Sequence, residues 1–188
     1  MTDPSLIFAD LPTLETPRLR LRKMRLDDAE AHFAYASDPL VAEHTGWYPY
    51  QSVEASRDFL KVMVDRYAAG QEAGWAIALK EDDRLVGTAG FFSWSVPHRR
   101  AEVGYSLARW LWNRGLMTEA LRAMIDFGFD RMNLNRIEAR CKVENAASAR
   151  VMEKAGMTFE GVLREHQLAK GAFETMKLYS VLRREWPG

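Results

Sequence analysis

One segment limits the choice of fold more than any other: an apolar stripe over residues 115–131, set between two alternating stretches. Met117, Ala120, Leu121, Met124 and Phe127 recur at helical spacing, so the segment is an amphipathic helix with one face for the core. Before it, Val103, Tyr105 and Leu107 alternate with Glu102, Gly104 and Ser106, a strand over residues 102–107. After it, Ile137, Ala139, Cys141 and Val143 alternate with Glu138, Arg140 and Lys142, a strand over residues 137–143. Two strands joined through a helix of this length run parallel in one sheet, by a right-handed crossover.

The rest of the chain reads as antiparallel. Residues 75–79 and 85–92 are strands joined by the short polar loop 80–84, a hairpin. Residues 158–168 and 172–182 pair across Ala169-Lys170-Gly171. Leu19 and Leu21 alternate with Arg18, Arg20 and Arg22, which predicts a half-buried strand over 14–24 with the arginines in solvent. Asp27 and Asp28 open a helix to Ser37, since acidic groups suit a helix N-terminus. A proline-containing loop over 38–49 follows. Phe59, Met63 and Tyr67 mark one face of a helix ending near Gly70. Asn145 is a good N-cap for a short helix that stops before Gly156. The fold class is α+β, or mixed α/β: a mixed, mostly antiparallel sheet of about seven strands with about four helices. Residues 1–188 read as a single domain, with 1–13 as a flexible N-terminal arm.

Lys plus Arg equals Asp plus Glu at 26 each, so nothing in the overall charge draws the chain to phosphate backbones or anionic lipid. No nucleic acid and no membrane partner is expected. The start of the chain lacks a basic, apolar leader, and the one cysteine, Cys141, allows no internal disulfide. A cytoplasmic location follows by elimination. His32, His44, His98 and His166 show no metal-ligand spacing, so no metal site is expected.

Chemistry concentrates at two helix starts. Asn113, Arg114 and Gly115 sit between strand and helix, where Leu116, Met117 and Thr118 supply first-turn N–H groups that can hold phosphate. Asn113 is a plausible cap, and Gly115 allows close backbone approach. Asn145 and Ser148 share the next helix start, and the Asn145 amide can meet an amide-rich chain. There is no G-x-x-x-x-G-K-[ST] loop and no G-x-G-x-x-G turn.

Taken together these pieces resemble the GNAT acetyltransferase superfamily, in the branch of the ribosomal-protein N-terminal acetyltransferases. The resemblance runs over nearly the whole chain, through residues 14–22 (LETPRLRLR), 101–107 (AEVGYSL), 145–148 (NAAS) and 155–161 (AGMTFEG). The family's pyrophosphate loop, [QR]-x-x-G-x-[GA], keeps its glycine as Gly115 but has Trp112 first and Met117 last. The resemblance implies two parallel strands that splay apart around acetyl-CoA, and transfer of its acetyl group to an amine by direct attack in a ternary complex. It implies cofactor contacts from Tyr105, Ser106, Leu107, Asn113, Arg114, Gly115, Leu116, Met117, Thr118, Asn145 and Ser148.

For catalysis the expectation is an oxyanion donor at the Leu107 N–H, a hydrogen bond from Ser148 to the departing thiolate, and Glu102 as base, with Glu165 and His166 as further candidates for that role. Glu102 is chosen because the branch's candidate glutamate falls here on Gln167, which cannot accept a proton. Trp47, Tyr48 and Tyr50, and the loop 94–100, are candidates to contact the acceptor. That acceptor is open between a protein N-terminus and a small-molecule amine. A module that binds acyl-CoA without turnover is the alternative function. A monomer and a homodimer are both compatible with these residues.

Overall fold

The computed structural model describes residues 4–187. In chain order its elements are α1 (Pro4–Ala9), β1 (Leu14–Glu15), β2 (Leu19–Arg22), α2 (Ala29–Ala36), α3 (Pro39–Glu43), α4 (Val53–Ala68), β3 (Trp75–Leu79), β4 (Leu85–Ser95), β5 (Arg100–Leu107), α5 (Leu116–Asp130), β6 (Arg136–Lys142), α6 (Ala146–Lys154), β7 (Thr158–Ala169) and β8 (Ala172–Leu182). The strands form one sheet of eight in the order β1-β2-β3-β4-β5-β6-β8-β7. Every neighbouring pair is antiparallel except β5 and β6, the two strands that flank α5.

Two counts differ from the expectation. The strand expected over 14–24 is two strands, because Pro17 cannot donate to a ladder. The chain folds back there and pairs Leu14 with Leu21 and Glu15 with Arg20, making eight strands rather than seven. Six α-helices replace four among the described residues. Pro39–Glu43 forms within the expected loop, with Asp38 capping the Leu40 N–H at 3.0 Å and proline in the first turn. Pro4–Ala9 forms within the expected arm. Its Phe8 is buried and packs edge-on against Trp94, so residues 4–9 are docked rather than loose; residues 1–3 lie outside the described residues.

The arginines of β2 part company. Arg20 is partly exposed, whereas Arg22 is 3% exposed and gives Asp28 a bidentate pair at 2.7 and 2.8 Å. Burial of such a charge is tolerable only when its donors are satisfied, and Asp83 takes two more of them. On the sheet, Leu19, Leu21, Trp75 and Ile77 join a core that continues through Leu121, Met124 and Ile125 of α5. All five apolar positions of the helical stripe are buried. On the other face, α2, α4 and the loop before α4 carry an aromatic cluster around the buried His32. His32 stacks on Phe59 at 4.8 Å and meets Tyr35 and Tyr50 edge-on, with its Nδ1 2.9 Å from Ser56 Oγ. Burial pushes the His32 imidazole down to about 4, so the ring is neutral at ordinary pH.

Candidate active site

The site begins where β5 and β6 separate. They pair over four residues, from Arg100 with Arg136 to Val103 with Ala139. Beyond that point β5 runs on to Leu107 beside β4, and β6 runs on to Lys142 beside β8. A wedge-shaped gap opens between residues 104–107 and 140–142. Its β5 edge has backbone groups free to bind. The Ala108 N–H donates to Val86 O at 2.8 Å, on the β4 side. Since alternate residues of an antiparallel ladder face opposite ways, the Leu107 and Tyr105 N–H groups point away from β4, into the gap.

The turn after β5 lies at the mouth of this gap. Trp112 Nε1 donates to Leu107 O at 2.8 Å, folding the turn back onto the strand. Asn113 and Gly115 have φ of 61° and 75°, the left-handed region that favours glycine and, among other residues, asparagine. Gly115, not Asn113, is the N-cap of α5, and no side chain caps that end. The first-turn N–H groups of Leu116, Met117 and Thr118 are therefore presented with the positive end of the helix dipole, which suits an anion. The side chains of Leu116 and Met117 are buried, so only their backbone faces the mouth.

Glu119 anchors this turn to the sheet edge. It accepts from Thr16 Oγ1 at 2.6 Å and from the Arg18 N–H and Nε at 2.8 Å each. Burial alone would raise the Glu119 carboxyl, but these hydrogen bonds outweigh it and hold it below the usual carboxylate range.

The opposite lip is α6. Asn145 Oδ1 accepts from the Ser148 N–H at 3.0 Å, the expected cap. Ser148 Oγ lies 2.9 Å from the Tyr105 hydroxyl, so β5 and the α6 start meet across the gap through these hydroxyls. Burial raises the Tyr105 phenol well above its ordinary value, so it remains a neutral donor. Cys141 is buried nearby, and burial pushes its thiol up to about 11, which keeps it from acting as a thiolate.

The other face of the gap holds a cavity of about 550 Å³. Trp47, Phe59 and Phe92 supply aromatic wall, and Glu102, Arg140 and Gln167 supply polar groups. Gly104 keeps it open: a Cβ there would come within 2.6 Å of the Phe92 ring. Ser106, expected at the cofactor, turns its hydroxyl to this face, 3.1 Å from Thr88 Oγ1 and 3.3 Å from the Tyr35 hydroxyl. Glu102, expected as base, is bound by Arg140 through both oxygens, one of them 2.8 Å from Nε. Arg140 also contacts His166.

A family model described as an acetyltransferase (GNAT) domain matches residues 18–158. The chain belongs to the GNAT acetyltransferase family. It is 39% identical to the uncharacterized N-acetyltransferase p20 of Bacillus licheniformis, over 95% of this chain and all of that protein. A GNAT acetyltransferase from Bacillus anthracis has a solved structure that superposes with a TM-score of 0.81 at 29% identity, covering 92% of this chain and 99% of the other. Similarity extends to the ribosomal-protein-serine acetyltransferase of Escherichia coli, 28% identical over 53% of this chain and 56% of that protein.

This member of the family is an acetyl-CoA-dependent N-acetyltransferase, and its residues fit that cosubstrate. The open α5 start suits a pyrophosphate, and the space over Gly115 is clear: a Cβ placed there would have Arg18 Nη2 as its nearest neighbour, at 3.7 Å. The inward N–H groups of β5 suit an amide-bearing chain. Among the described residues no cluster of His, Cys, Asp and Glu could hold a metal, and no helix is long and apolar enough to cross a membrane.

The structure brings Tyr105, Leu107, Asn113, Arg114, Gly115, Leu116, Met117, Thr118, Asn145 and Ser148 around one gap and sets Ser106 and Glu102 on the cavity side. Of the aromatic loop residues, Trp47 lines the cavity and Tyr50 joins the His32 cluster. Trp94 instead packs on α1, and Arg99 is spent on Asn133. Arg140 is the site residue that sequence reasoning misses. Strand alternation places it on the polar face, but its meeting with Glu102 depends on the β5–β6 register, which no local pattern reveals.

Proposed function

We propose that this acetyltransferase carries out direct attack by an amine in a ternary complex, and that the amine is the N-terminal α-amine of a protein. The observation that supports the first part is the gap itself. It is lined on one side by the α5 and α6 starts and on the other by the aromatic cavity, so donor and acceptor can approach one carbonyl from opposite faces. Similarity to the ribosomal-protein-serine acetyltransferase supports the second.

In this reading the N–H groups of Leu116, Met117 and Thr118, with the Arg114 guanidinium, hold the pyrophosphate. Asn113 and Gly115 shape that turn, and Asn145 and the Tyr105 N–H meet the amide chain. The Leu107 N–H, held by the Trp112 bond to the following carbonyl, stabilises the oxyanion. Ser148, with the Tyr105 hydroxyl beside it, donates to the thiolate as it leaves. Glu102 serves as a positioning residue, both its oxygens being held by the Arg140 guanidinium.

The test is thiol release from acetyl-CoA with a serine-leading tetrapeptide and with spermidine as acceptors. The peptide is the expected substrate. Ser148→Ala should lower kcat about ten-fold or more while acetyl-CoA affinity is unchanged, because that donor acts in the transition state. Preference for spermidine would overturn the acceptor class, and a kcat within about two-fold of wild type would assign the thiolate to water or backbone.

A further inference from the structure

We infer that His44 takes the proton shed by the acceptor amine. The inference rests on the reading above, that an amine occupies the cavity. His44 borders that cavity together with Glu102, Gly104, Tyr105 and Gln167. Its Nδ1 is buried, and among the described residues it is the one buried side-chain polar atom without a hydrogen-bond partner. Nδ1 is sealed from solvent and so from the cavity, which leaves Nε2, neither buried nor bonded within the chain, as the nitrogen that meets an occupant.

The ring is held rather than left to swing. His44 is the C-cap residue of α3, and the backbone on either side is tied down. Lys142 Nζ donates to Glu43 O at 2.9 Å, Lys170 Nζ to Ala42 O at 2.6 Å, and Thr45 Oγ1 to Ala42 O at 2.8 Å. These bonds fasten the α3 end to β6 and to the β7–β8 turn, so His44 is fixed to the same half of the sheet as Ser148.

The other charged groups of the cavity are poor candidates. Glu102 is committed to Arg140. Gln167 has no proton affinity at neutral pH. Arg66 is a permanent cation that donates to Glu72 O, and the Glu72 carboxylate accepts from the Ser93 N–H. Glu43, beside His44, is exposed. Lys142 is paired with Glu174, and Lys170 is engaged at Ala42. Imidazole is the side chain suited to gain and lose a proton near neutrality.

The step balances without a further reactant. The ammonium form of the acceptor gives one proton to the imidazole, and the freed lone pair forms the C–N bond at the thioester carbonyl. The C–S bond then breaks, and a second proton of that nitrogen passes through Ser148 to the departing thiolate. The imidazolium returns its proton to solvent.

The experiment measures thiol release from acetyl-CoA for wild type, His44→Gln and His44→Asn between pH ~6 and ~9.5, with the tetrapeptide and with spermidine. The expected result is a fall in kcat of about 100-fold near pH ~7 that narrows towards pH ~9.5, where free amine is abundant without a base. Acetyl-CoA affinity by calorimetry and the apo Tm should stay near wild type. A loss that is uniform across pH, the absence of any loss in both variants, or a loss that tracks weakened acetyl-CoA binding would each overturn the role of His44 while leaving amine transfer standing. Wild type that binds acetyl-CoA and transfers to neither probe would overturn the amine reading itself, and this inference with it.

Discussion

Acid should weaken this protein through one buried ring. His32 is 3% exposed, stacked on Phe59 and bonded to Ser56, and burial lowers its imidazole to about 4. The nearby Asp28 acts in the opposite sense but is outweighed, being itself committed to Arg22. In the unfolded chain the same ring titrates near ~6.5. Above ~6.5 the ring is neutral in both states and contributes no pH dependence. As pH falls through ~6.5 the unfolded chain gains a proton that the folded one refuses, so stability declines until the folded ring also charges near 4. The full separation corresponds to about 3 kcal/mol, and about 2 kcal/mol of it falls between pH ~7.5 and ~5.

Urea unfolding followed by tryptophan fluorescence at those two pH values measures this directly. His32→Asn should be less stable than wild type at pH ~7.5, because the ring contacts are lost, yet its decline to pH ~5 should be smaller than that of wild type by about 2 kcal/mol. Equal declines in the two proteins would show that His32 does not set this pH dependence.

Gly115→Ala should leave the apo fold nearly intact, since the nearest atom to the added methyl is 3.7 Å away and left-handed strain costs about 1–2 kcal/mol. Acetyl-CoA affinity by calorimetry should drop about ten-fold, and an unchanged Kd would remove the turn from phosphate binding. Arg140→Ala strands a buried carboxylate at Glu102 and should cost about 2–3 kcal/mol in urea unfolding, while adding Glu102→Gln should recover most of it. A double variant no more stable than the single one would show that the pair does not act as a unit.

Much of this fold is legible in the sequence because its elements are regular over long stretches. The α5 stripe and the alternation of β5 and β6 specify local structure by themselves, and they already imply the one parallel pair. Asn145 and Ser148 are legible for the same reason, because a cap and its partner are three residues apart in any helix. What escapes depends on distant contacts. Arg22 alternates like a solvent residue and is buried only because Asp28 and Asp83 converge on it. The α1 helix is short and gains its place by setting Phe8 against Trp94, a partner far along the chain. The partner of Glu102 escapes because nothing local announces Arg140, and His44 reads only as a histidine without metal-ligand spacing because its place beside the cavity depends on the fold.

The short β5–β6 seam has a mechanical consequence. On one side β1 to β5 form a meander in which each strand pairs with the next; on the other, β6, β7 and β8 form a second antiparallel unit. Ladder bonds join these units over four residue pairs, so the sheet behaves as two plates sewn along part of one edge. The hairpins β3–β4, β4–β5 and β7–β8 join neighbours in sequence and close early in folding, whereas the seam, like the β2–β3 pairing, waits for the helices between its strands. A ligand lodged in the unsewn part of that edge bridges both plates. It therefore stabilises the native state in proportion to the logarithm of its concentration, and the cosubstrate doubles as a strut that stiffens the protein while it is being used.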